Sequence, residues 1–220
     1  MRAMISDTAH TVVKERTDDG HMTPCDGMPS SARRRFLLAV GAGLGFSQMH
    51  AGDACAAGPE EAFEIYDENT RLPLTEDGAA VIKKAYDLGR RLHREHGGCC
   101  RCTVAALQEA LDMVPNHGGL FRAATCLDGG AAPGKKLSCG SFTGAGIVIG
   151  YICGAENFAS TDLAHKLIQR VAQKFQQAYG SVLCEDAAKG GNCQEVVASA
   201  AQWTAQVLLE QFTGYTPPAQ

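Results

Sequence analysis

Five stretches of this chain place apolar residues at three- and four-residue steps, and none of useful length alternates apolar with polar residues. A period near 3.6 marks one buried helical face, whereas a half-buried strand needs a period of two. The spacing therefore predicts an all-α fold. The first stretch, 75–96, carries Val81, Ala85, Leu88 and Leu92, and Gly97-Gly98 stops it. The second begins at Cys99 and carries Val104, Leu107 and Leu111 before Pro115. The third, GSFTGAGIVIGYICG, follows Cys139. The fourth runs from a cap at Ser160 or Thr161 to Gly180 with Leu163, Leu167, Ile168, Val171 and Phe175 as its stripe. The fifth starts at Asn192 and carries Val196, Ala200, Trp203, Val207 and Leu208. A compact bundle of about five helices is the expected architecture.

Two segments need separate treatment. Between the second and third helices lie about 25 residues dense in glycine, PNHGGLFRAATCLDGGAAPGKKLSC. They are expected to form a long loop, and loops of that length in compact domains are often functional. In the third helix Gly140 and Gly144, then Gly146, Gly150 and Gly154, recur at four-residue steps. Such a stripe lets another backbone approach closely. The segment is too short to span a bilayer, and it reads as the central core helix.

The N-terminus speaks to compartment. SARRRFLLAVGAGLGF joins Arg33, Arg34 and Arg35 to a short apolar run diluted by glycine, and Ala54-Cys55-Ala56 offers a cleavage site. The form Arg-Arg-x-Phe-Leu resembles a twin-arginine signal. It implies export of an already folded protein to the periplasm, with no permanent membrane anchor. The segment before Ser31 is longer than such a signal needs, so Met22 or Met28 is the expected start. The expected organisation is an extension and signal over 1–56, a polar arm over 57–74, a cysteine-rich helical redox domain over 75–213 and a tail over 214–220. The formal charge is −4 with no Lys/Arg run after the leader, so nucleic acid is not an expected partner.

Cys25 and Cys55 leave with the leader, and Cys99, Cys100, Cys102, Cys126, Cys139, Cys153, Cys184 and Cys193 remain. In an exported protein an even count ordinarily means disulfides. Their placement argues otherwise. Cys99 and Cys139 each open a helix beside glycine, Cys193 opens one two residues after Gly191, and Cys184 precedes Gly190-Gly191. A helix start offers free N–H groups and partial positive charge, which favour thiolate. Thiolates are what metal ions and iron–sulfur clusters require.

CGSFTG, 139–144, resembles the CGAxxG box of the C-GCAxxG-C-C family of redox-active proteins, relatives of the split-Soret cytochromes. One further cysteine of the pattern lies upstream in GGCCRC, and two lie downstream at Cys184 and Cys193. Ser141 stands where the box has Ala. Cys99 follows the glycine pair directly, while Cys100 and Cys102 fit other phases of the same helix. Cys99 and Cys102 are followed by Thr103 rather than His, so no c-type haem is expected.

The resemblance implies an iron–sulfur centre, taken as [2Fe–2S], in an exported electron-transfer protein. Candidate cofactor-binding residues are Cys99, Cys100, Cys102, Cys139, Cys184 and Cys193, with Cys99, Cys139, Cys184 and Cys193 as the metal ligands. A redox partner protein is implied, and a homodimer is left open. Two rivals remain: thiol–disulfide exchange through Cys99 and Cys102, or a module stapled by disulfides or holding zinc or copper. His93-x-x-His96-x-x-Cys99-x-x-Cys102 has a spacing that suits those metals, yet Gly97-Gly98 breaks its helix and solvated histidines are expected. Cys126 is an extra ligand, a resolving thiol or a bystander. Cys153 and Trp203 are expected in the core. No Ser/His/Asp order or paired-carboxylate spacing supports hydrolysis, and no catalytic residue is named.

Overall fold

The computed structural model describes residues 65–219, apart from positions 117, 132, 133 and 159. The expected signal, its arginines, Cys25, Cys55 and the first part of the arm lie outside the described residues. All described residues fall in one contact unit, Pro59–Gln220.

The described chain is all-α. It contains α1 (Gly78–His96), α2 (Cys99–Ala110), α3 (Gly118–Ala123), α4 (Gly140–Cys153), α5 (Asp162–Tyr179), α6 (Cys184–Ala187) and α7 (Cys193–Phe212). The five long helices match the five periodic stretches. Two short helices and two 3₁₀ turns, Asp128–Gly130 and Lys189–Gly191, were not expected. The supposed loop thus holds α3 and a 3₁₀ turn. Six residues are too few for an apolar period to register, so their helical state depends on packing. Among the described residues no helix is long and apolar enough to cross a membrane.

The centre of the bundle differs from the expectation. It is α7, not α4, that packs against α1, α2, α4 and α5 together. Ala198, Ala200, Ala201 and Ala205 are fully buried along it and let four neighbours approach. By contrast α4 keeps Gly150 exposed. Its glycine stripe works only near the N-terminus. A Cβ on Gly140 would lie 2.4 Å from Cys99 Sγ, and one on Gly144 would lie 2.8 Å from the Cys100 carbonyl, whereas Gly150 has nothing within 4 Å. Gly140 and Gly144 therefore seat α4 on the start of α2.

The ends are closed by flanking chain. The Leu72 N–H donates to the Phe212 carbonyl at 2.7 Å, and the rings of Tyr66 and Phe212 meet at a tilt of 54° with centroids 5.6 Å apart. The described part of the arm, 65–74, therefore wraps the far ends of α4 and α7. Asp77 caps α1 by accepting from the Ala79 N–H at 3.0 Å. Trp203 is half-buried rather than fully inside, packed edge-on against Phe175 at 5.4 Å.

Candidate metal centre

Four thiols meet at one end of the bundle because four chain turns are pinned together there. Cys99 is the first residue of α2, Cys139 the N-cap of α4, Cys184 the first residue of α6 and Cys193 the first of α7. The Cys139 N–H donates to the Val182 carbonyl at 2.8 Å, and the Cys184 N–H to the Leu137 carbonyl at 2.9 Å. A single antiparallel bridge, Ser138 to Leu183, lies between them. These bonds set the starts of α4 and α6 side by side. Cys99 is brought in by the close α2–α4 contact at Gly140.

The 3₁₀ turn closes the fourth side. Gly98, the N-cap of α2, has no side chain to offer, and Asp128 supplies the cap from a distant part of the sequence. Its carboxylate accepts from the Cys100 N–H at 2.7 Å and the Arg101 N–H at 3.3 Å, and pairs with Arg101 Nε at 2.7 Å. This bond holds the glycine turn over the helix start. The Gly129 N–H then donates to Cys99 Sγ at 3.4 Å.

The result is a cavity of about 190 Å³ lined by Cys99, Cys139, Cys184 and Cys193, with His93, Lys135 and Ser141 among the other walls. All four expected metal ligands reach it. Cys100 and Cys102 do not line it. Cys100 is fully buried, packed in the main core cluster. Cys102 turns its sulfur to the Gly97 carbonyl, 3.0 Å away, beside Leu92 and Val197. Successive helical residues project about 100° apart, so one helix start presents only one of three close-set cysteines to a given neighbour. Cys126 is exposed, and the eight described cysteines are all free thiols.

A helix start alone does not make Cys99, Cys139 or Cys184 acidic. Burial is the largest influence on Cys139 and pushes it up to about 11, against the N–H groups of Ser141 and Phe142 that favour its thiolate. Burial likewise raises Cys99 and Cys184. For Cys99, Cys139 and Cys184 the expectation of thiolates from helix position is thus overridden by desolvation. A bound cation reverses the balance, because a coordinating thiol is deprotonated outright. Among the described residues, no group of three or more His, Cys, Asp or Glu stands close enough to hold one metal ion. The cysteines surround a void rather than a point.

His93 separates from His96. It is half-buried on the cavity wall, where burial holds it below the ordinary histidine range, partly offset by the Asp128 carboxylate. His96 is exposed. The expected pair of solvated histidines is therefore only half right, because the α1 stripe turns one toward the site. Asp128, Gly129 and Lys135 were not singled out from the sequence, since only the folded loop brings them to the thiols. The one available signal was glycine density.

The model of the family described as "Putative redox-active protein (C_GCAxxG_C_C)" matches residues 98–207. The chain belongs to that family. Neither the curated proteins nor the solved structures compared with it gave a match. The C_GCAxxG_C_C match begins one residue before Cys99 and takes in α2, the glycine turn, α4, α5, α6 and most of α7. All four cavity cysteines lie within it. Membership supports a redox role for the chain.

The donor set fits an iron–sulfur group on three counts. Four thiols converge without disulfides, and a glycine N–H already points at one sulfur. The absent Cβ of Gly140 leaves room that a larger residue would fill beside Cys99.

Proposed function

We propose that this is an exported electron-transfer protein that binds an iron–sulfur cluster, [2Fe–2S], through Cys99, Cys139, Cys184 and Cys193. The observation that carries the reading is the shared cavity of four helix-start cysteines. When bound, such a group supplies one-electron redox chemistry at a potential set by charge, burial and hydrogen bonds to sulfur. The chain's own residues do the rest. Gly129 and the first turn of α4 present N–H donors to thiolate sulfur. The apolar core behind Cys139 excludes water, and Lys135 at the wall favours negative charge on Cys184.

Two rivals lose support. A single zinc ion holds each thiolate sulfur at about 2.3 Å, which requires the four sulfurs to close within about 4 Å of one another. Among the described residues no three of the thiols form such a group. Exchange through Cys99 and Cys102 needs a thiolate near neutral pH. Burial instead raises both, Cys102 to about 11.

The reading is tested on protein purified without oxygen. About two irons and two acid-labile sulfides per chain, with visible absorption, are expected. A colourless, iron-free protein with stoichiometric zinc, or with a Cys99–Cys102 disulfide that cycles with reductant, overturns it. Export rests on the Arg-Arg-x-Phe-Leu stretch. Replacing Arg33 and Arg34 by Lys should leave the precursor in the cytoplasm, and a normal periplasmic yield would remove that part of the proposal.

A further inference from the structure

Ser141 Oγ is a buried side-chain polar atom with no hydrogen-bond partner among the described residues. The side chain is 0% exposed and lines the four-cysteine cavity. Other buried hydroxyls in this fold give their proton to the carbonyl four residues back. Thr103 does so to Cys99 at 2.9 Å, and Thr204 to Ala200 at 2.7 Å. For Ser141 the residue four back is Leu137, which precedes the helix and whose carbonyl already accepts from the Cys184 N–H. The helix leaves the hydroxyl over, on the wall of the cavity, where the group it favours is the thiolate of Cys139. A buried donor without a partner costs stability, so it marks a place where a partner belongs.

We propose that the Ser141 hydroxyl donates a hydrogen bond to a sulfur of the group that fills the cavity, and that this bond raises the group's reduction potential above that of an Ala variant. The inference rests on the iron–sulfur reading. Reduction adds one electron, delivered by a one-electron donor, and places more negative charge on the sulfurs. A hydroxyl donor therefore stabilises the reduced form more than the oxidised one.

The test compares wild type with Ser141→Ala, both purified without oxygen and titrated with dithionite and mediators. Iron content should be equal. At any fixed solution potential the variant's ratio of oxidised to reduced form should be about tenfold higher, a midpoint about 59 mV lower for a one-electron couple. The metal-free variant should melt about 2–4 °C higher than the metal-free wild type, because its orphaned hydroxyl is gone. Full iron with an unchanged midpoint overturns the hydrogen bond and leaves the iron–sulfur reading intact. An iron-free wild type overturns both. A lower melting temperature for the metal-free variant gives the hydroxyl a structural partner and overturns the proposal. Ser141→Gly removes the same oxygen, and if neither variant folds the role is structural.

Discussion

Cys139 and Cys153 stand at the two ends of α4, and burial pushes both thiols up to about 11. Their surroundings are otherwise opposite. Cys139 sits at the N-terminal end, where the N–H groups of Ser141 and Phe142 favour its thiolate and three other cysteines share its cavity. At the C-terminal end, Cys153 gives its proton to the Ile149 carbonyl at 3.0 Å, and desolvation alone moves it. The difference is the polarity of the helix. One end presents unpaired donors and partial positive charge, the other unpaired acceptors. Burial makes a cysteine inert unless donors and a cation are there to hold its charge.

The largest test of that contrast is chemical. Cys139→Ser should abolish iron, labile sulfide and visible absorption, as should Ser at Cys99, Cys184 or Cys193. Cys153→Ser should keep full colour and lose only some stability, about 1 kcal/mol, since a hydroxyl can still bond the Ile149 carbonyl. Within GGCCRC, Ser at Cys99 alone should bleach the protein, because Cys100 and Cys102 do not line the cavity. Loss of colour in Cys153→Ser would break the comparison.

Alkali supplies the next test. Cys100 is pushed up to about 12, and Cys102, Cys139 and Cys153 up to about 11, from an ordinary 9.0. A folded pKa above the unfolded one means that the fold favours the neutral thiol. That contribution is fully present below pH 9 and is lost as pH rises through about 11. The denaturation midpoint of the metal-free protein should therefore stay level to about pH 9 and fall steadily above it. The metal-loaded form should fall less, because Cys139 is already a bound thiolate. A midpoint that rises with pH in this window would contradict the sign.

The smallest effects separate the glycines of α4. Gly140→Ala puts a Cβ 2.4 Å from Cys99 Sγ and 2.8 Å from the Leu127 carbonyl. It should destabilise by about 1–3 kcal/mol and reduce iron loading. Gly150→Ala meets nothing within 4 Å. It should stabilise by up to about 1 kcal/mol, a rise of about 2–4 °C in melting temperature. Equal effects at both positions would show that the stripe serves the helix and not the site.

The five long helices were legible because each buries one stripe, and a buried stripe must repeat with the helical period. The cysteines at helix starts were legible for a similar reason, since glycine punctuation marks where helices stop and begin. Position along the chain pointed to Cys99, directly after the glycine pair, but left Cys100 and Cys102 as candidates. What separates them in the fold is the contact of α2 with α4, where Gly140 leaves room for the Cys99 sulfur. Nor could spacing identify Asp128, which caps α2 from beyond α3, or Ser141 as a buried hydroxyl on the cavity wall. Capping across a long loop and desolvation at a cavity wall are properties of surfaces brought together. The sequence by itself determined which residues begin helices and carry thiols. Only the packing of four helix starts around one void decided which thiols face one another and that burial raises Cys99, Cys139 and Cys184.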